Sequence, residues 1–132
     1  MCSFQTPDGT EIGKVYQNAL AVVYDTTSDR RLKENVVALE SGIGVVNRIK
    51  ACRFTYKGAS ELPQVGFIAQ ELAEVWPHVV SKGDDEPGGE KEHPWGVDYG
   101  RLTPLLVKAL QDLSAMVETL KSEMAALKTR IT

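Results

Sequence analysis

The chain is poor in the patterns that announce most chemistries. Its two cysteines, Cys2 and Cys52, lie far apart and form no CxxC pair. That removes the zinc and dithiol motifs read from close spacing, and predicts two reduced thiols in a cytosol-made protein. Residues 1–27 lack a basic start followed by an apolar run, so no signal peptide is predicted. No apolar run approaches the ~20 residues of a membrane span. Basic residues are not clustered: 15 Lys and Arg are interspersed with 18 Asp and Glu, for a net charge of −3. That argues against a nucleic-acid surface. GxGxxG, P-loop and GxSxG motifs are missing. His78 and His93 have no second His or Cys at ligand spacing. Asp84, Asp85, Glu86, Glu90 and Glu92 lack the spacing and glycine of an EF-hand. No metal and no cofactor are predicted, and the acidic stretch reads as a solvated loop or hairpin tip. Trp76 and Trp95 read as core or interface anchors.

What is present suits one modest core: 132 residues, 42% of them hydrophobic. Residues 1–27 carry a Pro-Asp-Gly turn and two apolar runs, "EIGKVYQ" and "ALAVVYD". They predict two short strands with Gly-marked turns, a piece that needs partners to be stable. In residues 28–57 the apolar positions Leu32, Val36, Leu39, Ile43, Val46 and Ile49 step by three and four. With "SGIG" interrupting, they predict a turn or helix near 36–41 and another near 42–49. "ACRFTYK" alternates as a strand does. A helix is predicted over 68–75, ended by Pro77, followed by short extended pieces at "HVVSK" and "WGVDYG".

The last segment, 103–131, has the strongest pattern. Thr103 suits an N-cap and Pro104 the first helical position. Leu106, Leu110, Leu113, Val117, Leu120, Met124, Leu127 and Ile131 step 4-3-4-3-4-3-4, a heptad stripe with Leu at every d. A helix of this span is roughly 40 Å long. So small a body cannot cover such a stripe, which predicts a coiled coil with other copies of the chain. The mixed a positions leave dimer and trimer both open.

One pairing of residue types can carry catalysis. Ser28 in "TTSDRRLKENVV" is followed five residues on by Lys33. A serine hydroxyl attacks well only when a base takes its proton, and a neutral lysine amine can be that base. Burial, Arg30 and Arg31 would favour the neutral amine, and a close Glu34 carboxylate would oppose it. By spacing alone, Ser28 reads as a cap or turn residue with an incidental lysine, and not as a nucleophile.

Three segments in order change that balance: "SDRRLKENV" (28–36), "VGFIAQEL" (65–72) and "VDYGRLTPLLVKALQDL" (97–113). Together they resemble the C-terminal intramolecular chaperone auto-processing domain of bacteriophage tailspikes, tail fibres and neck appendages. The endosialidase tailspike is its best-known member, and a related module occurs in transcription factors of the myelin regulatory factor type. "DGTEIGKVYQN" and "VVYDTTSD" are similar to the end of a trimeric β-structured fibre shaft.

The resemblance implies an α+β fold: a small mixed body of short strands and helices ending in a long coiled-coil helix, assembled as a homotrimer. Residues 1–27 would end the shaft and 28–132 form the chaperone. It implies a domain that holds three chains in register while the shaft folds, then releases itself through a Ser-Lys dyad. Ser28 would be the nucleophile and Lys33 the base, with Asp29, Leu32 and Asn35 supporting, and the cut adjacent to Ser28, at Thr27–Ser28 or Ser28–Asp29. The implied partners are two further copies and the upstream shaft of the same polypeptide, with no nucleic acid and no membrane. Synthesis in the bacterial host cytoplasm is implied, with the shaft passing to the virion tail and the chaperone released. A trimeric module that does not cut, and a processing domain of a membrane-bound transcription factor, are the alternatives.

Overall fold

The structure, a computed structural model, describes residues 1–58, 62–84 and 93–132. The chain folds as two compact units, Met1–Ala38 and Leu39–Thr132. Of the acidic segment, 85–92 lie outside the described residues, as do 59–61 of the "GASELP" loop.

The first unit is a three-stranded antiparallel sheet in the order β1 (Cys2–Gln5), β2 (Glu11–Asn18), β3 (Ala21–Thr26). The sequence pattern gave two strands; "CSFQ" is a third, too short to show alternation. Cys2 pairs with Val15, and Gly13 with Thr26. The β1–β2 turn is Gly-marked, as expected: Gly9 takes φ +87° and its N–H reaches Thr6 O at 2.9 Å. The β2–β3 turn is not, since Ala19 takes the left-handed φ of +50°. Gly13 is required for another reason. A Cβ there would meet Asp25 O at 2.8 Å. No residue of this unit is buried, and Phe4, Val22 and Tyr24 are exposed. A sheet with both faces open has strand pattern without a core.

The second unit has a small core. α1 (Ile43–Val46) is followed by the hairpin β4 (Cys52–Phe54) and β5 (Gln64–Gly66), then α2 (Ala69–Val75). A 3₁₀ turn at Pro77–Val79 leads to β6 (Val80–Ser81), which pairs with β7 (Gly96–Val97). A second 3₁₀ turn, Tyr99–Leu102, runs into α3 (Thr103–Ile131), 29 residues long. Leu72, Val79, Leu102 and Leu105 form the core, walled by Val45, Val46, Ile49, Phe67 and Trp76. Leu105 is 1% exposed. Tyr99 stacks on Phe67 and accepts its N–H at 3.3 Å. A groove of about 480 Å³, lined by Val46, Ile49, Phe67, Tyr99, Leu102 and Leu106, opens beside the start of α3.

Two expectations are corrected. Residues 36–41 form no helix: their three-and-four spacing has no surface to cover, and Val36 and Val37 are exposed. Thr103 is not the N-cap. It is already helical (φ −53°, ψ −48°), because the 3₁₀ turn feeds straight into α3. Asp98 caps that turn instead, accepting the Arg101 N–H at 3.3 Å.

α1 is joined to α3 by one carboxylate. Asp112 Oδ2 accepts the N–H of Gly42 at 2.7 Å and of Ile43 at 3.1 Å. These are the orphan donors at a helix start, satisfied from a distant element. Gly42 permits the approach: a Cβ there would fall on the backbone of Lys108 and Ala109. Beyond Asp112 nothing on α3 is buried. Leu110 is 67% exposed, Leu113 46% and Leu120 56%. Helices with an uncovered apolar stripe are marginal alone, so tertiary or partner packing must hold this one.

Candidate active site

Ser28 sits where the sheet ends. Thr27, just before it, is tied to β2 twice: its N–H donates to Ile12 O at 3.1 Å and its Oγ1 to Glu11 O at 2.9 Å. The Thr27 carbonyl therefore belongs to an anchored residue, and the chain is released from the ladder at Ser28.

The next five residues turn the chain back. Asp29 is extended (φ −66°, ψ 135°) and caps a one-turn 3₁₀ helix, Arg30–Leu32, by accepting the Arg31 N–H at 2.8 Å. The Leu32 N–H reaches Asp29 O at 3.2 Å and the Lys33 N–H reaches Arg30 O at 3.1 Å. Aspartate is favoured at such a cap because its side chain mimics the missing backbone acceptor. The turn returns Lys33 to the serine: Lys33 Nζ donates to Ser28 Oγ at 2.5 Å. Both side chains are exposed. Asn35 follows with φ +50°, a region asparagine tolerates better than most residues.

The electrostatics centre on Asp29. The Arg31 guanidinium takes both carboxylate oxygens, with Nη2 2.7 Å from Oδ2 and Nε 3.1 Å from Oδ1. This fork, then the Arg31 N–H, holds the Asp29 carboxyl below its usual range; Lys33 adds a smaller pull in the same direction. Ser28, Lys33 and the Asp29 cap thus lie within one turn, while Leu32 is 57% exposed.

The turn brings Thr27, Ser28, Asp29 and Lys33 together. It leaves the heptad residues of α3 in the other unit. Two features escaped sequence reading: the Arg31 fork on Asp29, and the Asp112 cap on α1. The first had a faint signal, an Asp two residues before an Arg. The second joins residues 70 apart and had none.

The remaining candidates are scattered. His78 packs edge-on against Trp76 at 4.9 Å. Among the described residues no three His, Cys, Asp or Glu side chains gather as a metal cluster. Among the described residues no helix is long and apolar enough to cross a membrane. Both cysteines are free, Cys2 exposed and Cys52 half-buried.

What the turn can do chemically is hold an amine against a hydroxyl beside an anchored peptide carbonyl. Comparison with known proteins bears on the same place. No curated protein matches the chain. The model of the peptidase S74 family, chaperone of endosialidase, matches residues 28–81, so that its first matched residue is Ser28. Over that stretch the chain is similar to the endosialidase-type chaperone domain of the peptidase S74 family.

Proposed function

We propose that this chain is a self-releasing trimeric chaperone: it aligns three copies of an upstream phage fibre shaft and then cuts itself adjacent to Ser28. The observation that carries the reading is the 2.5 Å contact between Lys33 Nζ and Ser28 Oγ, at the first residue of the family match.

The chemistry follows from the geometry of the turn. Cleavage needs the contact reversed, with a neutral Lys33 amine accepting the Ser28 hydroxyl proton. Ser28 Oγ then attacks the carbonyl carbon of Thr27. The Thr27–Ser28 C–N bond breaks, and Lys33 returns its proton to the departing Ser28 nitrogen. The acyl group is left as an ester on Oγ, and water hydrolyses it to a Thr27 carboxylate and a free Ser28 amine. The two hydrogen bonds from Thr27 to β2 keep the electrophile still while the flexible side chains reach it. Attack on the Ser28–Asp29 bond by another copy's serine is the alternative route.

Assembly rests on α3. The stripe from Leu106 to Ile131 is exposed along its length and has the period of a coiled coil. It is continuous at Leu106 with the apolar groove of the body. A preformed trimer turns the search of three shaft strands for one register into an intramolecular one. The open sheet within residues 1–27 supports that segment's being the end of such a shaft. Once the chaperone is cut away, the shaft lacks the device that set its register and persists kinetically.

Incubating the full chain and separating products by size tests the reading: loss of residues 1–27 is expected. A trimeric module that does not cut shares the α3 stripe, and an intact band with a trimeric mass would favour it.

A further inference from the structure

We infer that Arg31 is a positioning residue of the dyad: its guanidinium occupies the Asp29 carboxylate and so keeps that carboxylate from claiming Lys33. The inference rests on the Ser28–Lys33 reading above and says how the lysine is kept available to the serine.

The turn creates a conflict that its own residues must resolve. Asp29 is needed as the cap that folds Lys33 back. The same fold brings a carboxylate into the field of the lysine, as the pull of Lys33 on Asp29 records. A free carboxylate beside an ammonium would hold the proton on the nitrogen and draw Nζ away from Oγ. The Arg31 fork removes that competitor. It spends both Asp29 oxygens on a planar donor pair, a geometry that a lysine cannot reproduce.

Other charges around the turn do not replace it. On β2 and β3, Glu11 is held by Lys14 at 3.1 Å and by Ser3 at 3.0 Å, and Asp25 lies 4.0 Å from Lys14. Arg30 opens the turn and Glu34 follows it in sequence, and both remain in every variant below.

The test is a double-mutant cycle on the full chain carrying Ser28→Ala, so that no cleavage intervenes. The readout is the pH at which the Lys33 Cε resonance moves. Arg31→Ala should raise that midpoint by about half a pH unit, the size an exposed ion pair produces. In an Asp29→Asn background, which keeps the capping oxygen without its charge, Arg31→Ala should produce a clearly smaller rise. Arg31→Lys should fall between arginine and alanine. Equal rises in both backgrounds would reduce Arg31 to one more positive charge and overturn the inference, as would no rise at all. The same variants with Ser28 restored report separately on the dyad. If the unmodified chain stays uncut at every pH, the dyad reading fails while the resonance shift still judges Arg31.

Discussion

Asp112 on α3 accepts the backbone N–H of Gly42 at 2.7 Å, so that one exposed-helix residue starts another helix 70 positions earlier. The contact fixes where α1 docks on α3. Lys108, at 2.5 Å, then the N–H groups of Gly42 and Ile43, hold the Asp112 carboxyl down to about 2.

Asp112 should make stability depend on acid. Its folded value lies below the ordinary 3.8, so its contribution is complete above about pH 4 and is lost as pH falls from there towards about 2. Asp112→Asn should melt a few degrees below the native chain at pH 7, and the gap should close near pH 2. Thermal unfolding by circular dichroism at both pH values measures this. A gap that stays constant with pH would show that the charge is irrelevant.

Gly42→Ala should be more damaging than a surface alanine has any right to be. Its Cβ would land on helix backbone, which cannot rotate aside, so α1 must lift from α3. A loss of about 1–3 kcal/mol is expected, the range for overpacked sites. Urea unfolding gives the value. Gly44→Ala, on the same short helix with only the Ser41 hydroxyl near it, should cost much less.

Asn35 adopts φ +50° two residues after Lys33. Asn35→Gly should leave cleavage close to native. Asn35→Val should slow it by about one order of magnitude, since a β-branched residue is strained there by roughly 1–3 kcal/mol. Time courses on gels distinguish them. Equal rates in Gly and Val variants would mean that this bend does not position the lysine.

Leu113 and Leu120 are exposed in the single chain and lie at neighbouring d positions of α3. Changing both to Asp should convert a trimer to monomers by light scattering. If cleavage is a checkpoint on assembly, it should fall at the same time. Cleavage at the native rate in a monomeric double variant would separate the two activities.

Much of this architecture was legible from local pattern, and the failures have local causes. α2 and α3 carry long enough apolar periods, with Pro77 and Pro104 as boundaries, to be read directly. The Ser28–Lys33 pair could be named but not weighed, because its meaning depends on a turn that Asp29 caps. Val36 and Leu39 mimicked a helix because period alone says nothing of what an apolar face would pack against. "CSFQ" was too short to show a strand. Thr103 had the chemistry of a cap, and lost the role to a 3₁₀ turn that Asp98 had already started. The Gly42–Asp112 contact is long-range, and a single glycine before a short apolar run does not point to its partner.

In the proposed reaction Ser28, with Lys33 as base, cuts this chain at the Thr27–Ser28 bond. The direct measurement is the mass and N-terminal sequence of the large product after incubation, for the native chain, Ser28→Ala and Lys33→Ala. The account predicts a product beginning at Ser28 from the native chain, forming faster as pH rises, and none from either variant. The same product from both variants would contradict it.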